Sequence, residues 1–441
     1  MSASVAEAVA TLGERSAKLD WNETPDSVRD RTLLVVFDTL GVMMAGAATP
    51  EIKAFADQHA ETGPAPLAGL ERWATAVDSC WVNGAAVCCL ELDEGSKYAR
   101  GHPAAHVVPA ALALGHHDGP SWLGAVLAGY EVAARFGRAT RLNNGVHPHG
   151  TWGATGAAAT AARLLGLDKD GVAAAIDAAT GLSLAPHFES ALTGHPVRNL
   201  WVGAANAAGL AAARLASAGF GRIDGTAAGT YGDLLGTFDP DPLIAPLEEP
   251  FEIMHGYFKR HAACAYTHAA ADAVLELLEE GSLPVGEIDS VTVETYRIAA
   301  KLDRTDLPTR LAAMFSVPFV VAVTMIEGAF GPTATDESHR SDPVVNDLAG
   351  RVVVVATDEF EDRLPDRRGA RVSLQMKDGS TRSAEVQQPI GDSAAEPFGW
   401  AEVREKVDGL IGQERTADLE DSIRRVEDQG VGPLLQAVTR R

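Results

Sequence analysis

Hydrophobic positions recur at helical spacing almost without a break from the start of the chain to about residue 235. Thr24-Pro25 opens one such run with a polar cap and a proline at the first position, and Leu33, Leu34, Val36, Phe37 and Leu40 follow on one stripe. Ser121 is placed to cap a helix running through Leu123, Val126, Leu127, Tyr130 and Val132 to about Phe136. Two segments, GATGAAATAARLLGLD from Gly153 and GAANAAGLAAARLASAGF from Gly203, are loose copies of each other with small residues on one face. No fixed period continues, so they predict a closely packed helix pair rather than a solenoid. The pattern changes over 236–256, where FDPDPLIAPLEEPFE crowds prolines and acids and predicts a linker. Beyond it come a helix over about 267–280, a strand over 290–296, a second strand in RVVVVATDEF, and a hairpin turning at Asp378-Gly379. From Trp400 two charged amphipathic helices return to the first texture and are expected to pack back on it. The predicted fold class is mainly α, with a large helical domain (1–254 with 396–441) and a smaller α+β domain (255–395).

The 441 residues exceed one ordinary core, and 46% hydrophobic content suffices for two. Lys and Arg number 37 against 60 Asp and Glu, a formal charge of -23. Such a surface repels phosphate backbones and anionic lipid, so no nucleic acid and no membrane partner is expected. Ala and Gly supply about a quarter of the residues, which suits helices in close contact. The four cysteines make no CxxC pair and no disulfide framework, pointing to a reducing compartment. With no basic-then-apolar leader and no apolar run of about 20 residues, a cytoplasmic protein is expected.

Candidate chemistry concentrates in the histidines, eleven of thirteen of which lie between residues 102 and 268. GHPAAHVVPAALAL holds His102 and His106, and NNGVHPHGTWGATGAA holds His147 and His149, each histidine-proline pair preceding a small-residue helix. Helix N-termini favour anions. In LELDEGSKYARGHP, Asp93 and Glu94 are expected to end a helix apolar since Trp81; Lys97, Arg100 and His102 are the nearby partners for Asp93, while Glu94 reads as an exposed acidic turn. A carboxylate beside imidazoles can act as a general base or orient one. His255, Lys259, Arg260, His261, Cys264 and His268 form an island of positive character at the domain junction, where pockets are favoured. Arg198 precedes another small-residue helix and can fork onto a carboxylate or serve a structural ion pair. HxH and HxxxH both occur, but HExxH is absent and Pro103 takes His102 out of helical conformation, so no metal is expected. No nucleotide-binding glycine motif and no GxSxG supports a cofactor or a serine nucleophile, and no cofactor is expected.

In order, LELDEG, GHPAAHVVPAALAL, HPHGTWGATGAAATAARLLGLD, GLAAARLASAGFGRIDG, KRHAACAYTHAAADAV and MFSVPFVVAVTMIEG resemble the successive blocks of the MmgE/PrpD family between about residues 30 and 330. Its members include 2-methylcitrate dehydratase, cis-aconitate decarboxylase and iminodisuccinate epimerase. The resemblance implies a helical domain completed by the chain's end, an α+β lid, a metal-free site between them, and a homodimer. It places catalytic roles on Asp93, His102, His147 and Lys259, and substrate binding on Arg198, His149, Cys264 and Phe319; Lys97 and His268, from the charged clusters read above, are expected to bind substrate with them. His149 stands where Thr is usual, Arg198 where Lys is common, Cys264 where decarboxylases carry His, Phe319 where many members have Tyr, and Met314 where Lys is usual. His102 and His147 would supply and accept the proton, one of them oriented by Asp93. The implied activity is a cofactor-independent lyase, foremost a dehydratase of a hydroxylated di- or tricarboxylic acid. Decarboxylation or epimerisation on the same site, and a non-catalytic ligand-binding member, are the alternatives.

Overall fold

The computed structural model describes residues 4–246 and 251–440. The longer helices are α1 (Val5–Lys18), α2 (Asp26–Ala47), α3 (Pro50–His59), α4 (Ala76–Cys88), α5 (Pro103–Ala113), α6 (Gly119–Ala139), α7 (Gly153–Leu164), α8 (Lys169–Gly181), α9 (Val197–Ser217), α10 (His268–Glu279), α11 (Val317–Glu327), α12 (Trp400–Ile411) and α13 (Gln413–Arg424). The fold is mainly α with small sheets.

Small side chains set the helix spacing, because a helix pair can approach only as closely as the residues between its axes allow. A Cβ at Gly209 of α9 would lie 2.5 Å from the Ala157 Cβ of α7, and one at Gly84 of α4 would lie 2.6 Å from the Gly203 Cα of α9. The two look-alike segments therefore do pack as a tight pair, although α9 starts at Val197, six residues before the expected copy. Every residue of α5 is buried. α6 begins at Gly119 and is capped by Asp118, whose carboxylate accepts from the Ser121 N–H at 2.9 Å, so Ser121 is inside the helix and not its cap. α2 starts one residue after Pro25.

The four longer strands are β1 (Ile288–Thr295), β2 (Val352–Ala356), β3 (Ala370–Met376) and β4 (Thr381–Val386), in the order β4-β3-β1-β2. β1 runs parallel to β2 and antiparallel to β3, and the β3-β4 hairpin turns where expected, with Gly379 at φ +88°. Alternation of β3 buries Ala370, Val372, Leu374 and Met376 on one face. A register shift between Ile288 and Ser290 lets Ile288 and Val291 share the buried face of β1.

The buried apolar side chains form two main clusters. The larger takes residues from Ala8 to Phe258 and, through α12, α13 and the final helix, Val403, Val407, Leu419, Ile423 and Val438. The smaller takes mostly residues from Ala262 to Val386, with α10 and α11 against the sheet. The stretch over 236–256 is not a free linker: Gly236–Phe238 pairs with Thr140–Leu142, and Leu243, Phe251 and Ile253 are buried in the larger cluster. The LEEP part of that segment, 247–250, lies outside the described residues. Among the described residues no single helix is long and apolar enough to cross a membrane.

Candidate active site

α4 stops at Cys88, so Glu91, Asp93 and Glu94 stand in a connection beyond the helix and not on its last turn. Glu91 takes a left-handed conformation at φ +53°, and Arg100 further on takes φ +57°. Side chains rarely hold such angles unless the surroundings over-determine them. Here the connection is pinned from several sides. Gly95 and Ser96 pair antiparallel with Tyr257 and Gly256, and Lys406 of α12 donates to the Leu92 carbonyl at 2.8 Å and to Asp38 at 2.6 Å. A side chain at Gly256 would run into the Glu94 carboxylate, its Cβ 2.6 Å from Oε1, so glycine lets the two backbones close.

That pairing brings Lys259 onto the connection. Its ammonium is fully buried, 3.1 Å from Glu91 and 3.2 Å from Asp93. Glu91 also pairs with Arg198, which sits in the first turn of α9 and donates to the Cys88 carbonyl at 3.1 Å. Burial works against both cations, but Asp93 and Glu91 outweigh it for Lys259, and Glu91, Cys88 and Asp93 outweigh it for Arg198, so both are held charged. Burial likewise opposes the Asp93 carboxylate, yet His102, Lys259 and Arg198 hold its pKa below the usual range.

His102 is the residue before α5, and its Nδ1 lies 2.8 Å from the Glu94 carbonyl and 3.1 Å from Asp93 Oδ2. The Glu94 carbonyl can only accept, which assigns the proton to Nδ1 and leaves Nε2 as the basic nitrogen, with the Asp93 carboxylate close by as a charge and not as a hydrogen-bond acceptor. His147 is the opposite. Its Nδ1 accepts from the His149 backbone N–H at 3.0 Å, which places the proton on Nε2 and makes that nitrogen a donor. His147 is thus fixed as a donor, and of these two His102 presents the basic nitrogen. His149 lies between them, its ring 5.0 Å from His102 and 4.7 Å from His147, with a buried Nδ1 that has no hydrogen-bond partner. His106 donates to the His102 carbonyl at 2.8 Å and accepts from Gly150, which holds the two histidine segments together. Burial lowers the pKa of His102, although Asp93 counters it, and keeps His147 and His149 neutral; His106 falls to about 4.

A cavity of about 220 Å³ opens against these groups. His102, His147, His149, Arg198, Lys97 and Cys264 line it, as does Arg100, expected as a partner of Asp93 but not paired with it, together with Glu91, Arg368, Tyr257, Tyr266, Tyr296, Phe188 and Phe315, which the sequence did not single out as site residues. Asp93 and Lys259 are fully buried and do not line it. Four cations and one carboxylate line the wall of a chain of charge -23, with Arg198 paired to Glu91, and Lys97 and Arg368 sharing Asp392 at 3.0 and 3.7 Å. Lys97 is already committed, donating to Asp392 at 3.0 Å and the Asp366 carbonyl at 2.9 Å. Buried Nε of Arg198, Nε and Nη2 of Arg368 and the Tyr296 hydroxyl have no hydrogen-bond partner. The tyrosines keep their protons, since burial raises the pKa of Tyr257, Tyr266 and Tyr296. Burial pushes the Cys264 thiol up to about 12, so it is an uncharged wall residue.

The expected basic island disperses. His261 bonds Asp272 at 2.9 Å, Arg260 is exposed with Asp272 3.9 Å away, and His255 stacks edge-on against Tyr98. His268 faces the Ala263 carbonyl, and Phe319 packs on Phe330 in the smaller core; neither reaches the cavity wall. Glu94 is no exposed turn: it is buried under the Tyr130 hydroxyl, and burial raises its pKa to about 7. Glu91 and Arg368 carried no local signal in the sequence, since the run from Trp81 to Leu92 reads as one helix. Asp93, His102 and His149 bring one ligating atom each within 4.8 Å of one another, a donor set that could hold a metal ion. The Lys259 ammonium on the same Asp93 carboxylate repels a cation and fits that use poorly.

Residues 10–243 match the MmgE/PrpD N-terminal domain and residues 261–429 the MmgE/PrpD C-terminal domain. A cis-aconitate decarboxylase of Aspergillus terreus is 24% identical over 96% of this chain and 94% of its own length, and one from strain NIH 2624 is 25% identical over the same shares. A cis-aconitate decarboxylase-like protein of Aspergillus oryzae is 24% identical over 92% of each chain. The two matched domains follow each other in order along nearly the whole chain, and the protein belongs to the MmgE/PrpD family.

Proposed function

We propose that the protein is a cofactor-independent lyase that forms a carbanion next to a carboxylate of a small di- or tricarboxylic acid, foremost a dehydratase of a hydroxylated one. The observation that carries this reading is the Asp93-held His102, whose free Nε2 belongs to a cavity walled by guanidinium groups with unpartnered N–H donors. Arg198 and Arg368 bind substrate carboxylates, and charge that builds on the carboxylate as the carbon loses its proton is met by the same donors. His102 Nε2 takes the proton from the carbon beside the carboxylate; the C–O bond breaks, the electron pair of the C–H bond becomes the double bond, and the leaving hydroxide takes the proton back from Nε2 as water. His147 donates from Nε2 to the developing negative charge as a neutral imidazole, a role its lowered pKa suits. In this reading the α+β part expected over 255–395 contributes Lys259, Cys264, Tyr266, Tyr296 and Arg368, and the helical part contributes the imidazoles.

Decarboxylation is the second reading, favoured by the names of the curated relatives. There a C–C bond breaks, carbon dioxide leaves, and a protonated His102 gives its proton to the carbon that keeps the electron pair. An NMR screen in deuterated water against hydroxylated di- and tricarboxylic acids and cis-aconitate separates the two. Loss of water from a hydroxy acid supports the first reading, a decarboxylated product from an unsaturated acid supports the second, and no change in any acid refutes both.

A further inference from the structure

A second cavity of about 450 Å³ adjoins the first, and the two share Arg100, Pro148, Phe188, Tyr266 and Ile298 as a common wall. Its wall carries Arg100, Arg141 and Lys301 against one carboxylate, Glu189. Arg100 donates to the Thr140 carbonyl at 3.2 Å, and none of the three cations pairs with a carboxylate among the described residues. Acids outnumber cations by 60 to 37 in this chain, so three unpaired cations around one hollow are a departure from the general surface. Arg100 stands between the two spaces on a left-handed backbone, a conformation that has to be held against its cost. Burial and the nearby Arg141 charge both depress its pKa, which agrees with cations crowded together without acids between them.

We propose that the outer cavity is a cationic antechamber through which an anionic ligand reaches the imidazole site, with Arg141 and Lys301 drawing the anion in and Arg100 passing it on. That the anion is a polycarboxylate rests on the function proposed above. A concave, positively lined entrance raises the local concentration and arrival rate of anions and disfavours cations. The wall of the inner cavity includes Cys264, which supplies a reporter independent of turnover. Cys80 and Cys88 are fully buried, so a Cys89→Ser background leaves Cys264 as the thiol to follow, with Cys264→Ser as the blank.

The test compares labelling rates of Cys264 by two methanethiosulfonates, one bearing a sulfonate and one a trimethylammonium, each normalised to its rate with a small free thiol and followed by intact mass. The sulfonate is expected to react roughly tenfold faster at low ionic strength, with the preference shrinking in high salt. Arg141→Glu with Lys301→Glu, both exposed positions, should abolish or invert the preference, and the paired Gln variants should fall between. A preference unmoved by the reversal overturns the antechamber; where the protonated Cys264 thiol does not label, a stopped-flow on-rate for propane-1,2,3-tricarboxylate that the double reversal leaves unchanged overturns it instead. If labelling behaves as expected while no polycarboxylate is turned over, the anion route stands and the proposed substrate class falls.

Discussion

Replacing Asp93 by Asn removes a charge from behind His102 while keeping the side chain's shape. The Asp93 Oδ2 to His102 Nδ1 distance is 3.1 Å, and Coulomb's law at an effective dielectric of about 20 puts the attraction for imidazolium at no more than about 5 kcal/mol. Lys259, 3.2 Å from the other oxygen of the same carboxylate, cancels part of that field. A net loss of about 2 kcal/mol is the working value, equivalent to a fall of about 1.5 units in the His102 pKa. The tautomer survives, because the Glu94 carbonyl still accepts from Nδ1 at 2.8 Å. The acid limb of kcat/KM should therefore move to lower pH by one to two units, roughly, with the plateau falling about 10- to 100-fold as the base weakens. A histidine-ring NMR titration of the same variant should show the matching shift without substrate. An unmoved limb would show that Asp93 does not act on His102. A loss beyond about 10⁴-fold would instead make Asp93 the base itself and refute the positioning role.

Lys259→Met strips one partner from two buried carboxylates and should cost about 3–5 kcal/mol in urea unfolding, with Glu91→Gln recovering part of it in the double variant; an unchanged midpoint would mean the cluster does not hold the fold. Glu94, with a folded pKa of about 7 against 4.5 unperturbed, contributes stability that is complete below pH 4.5 and lost as pH rises towards 7. Glu94→Gln should therefore gain on the wild type across that window, by at most about 3 kcal/mol, and a difference that does not vary with pH would contradict the buried-acid assignment. Gly209→Val should destabilise by about 1–3 kcal/mol, since its Cβ would meet the Ala157 Cβ at 2.5 Å and the Ala154 carbonyl at 2.8 Å, and an unshifted thermal midpoint would show the α7-α9 contact to be loose.

Residue type and local spacing made part of the site legible. Histidine beside proline with small residues after it marked His102 and His147, the basic cluster contained Lys259, and Asp93 stood out beside Leu92. Glu91 escaped because the run from Trp81 to Leu92 looks like one continuous helix, whereas the chain leaves the helix at Cys88 and turns left-handed to meet Arg198 and Lys259. No local signal predicts such a turn; partners more than 100 residues away hold it. The basic island was misread for the opposite reason. Neighbours in sequence from His255 to His268 are dispersed by short turns, so that His261 and Arg260 face Asp272 while Lys259 alone reaches the carboxylates. Arg368 and the three tyrosines come from segments far apart in sequence, and only the packing of those segments makes them one wall. The mixed helix and strand pattern was readable because its periods differ, as in β3 with its strict alternation.

Deuterium uptake from solvent into propane-1,2,3-tricarboxylate, which has no hydroxyl to lose, isolates carbanion formation from every later step. The wild type should exchange the hydrogen beside a carboxylate, and His102→Gln should abolish that exchange while the acid still binds. Exchange at the same rate in His102→Gln, or binding without any exchange in the wild type, would contradict the assignment of His102 as the base of a carbanion-forming site.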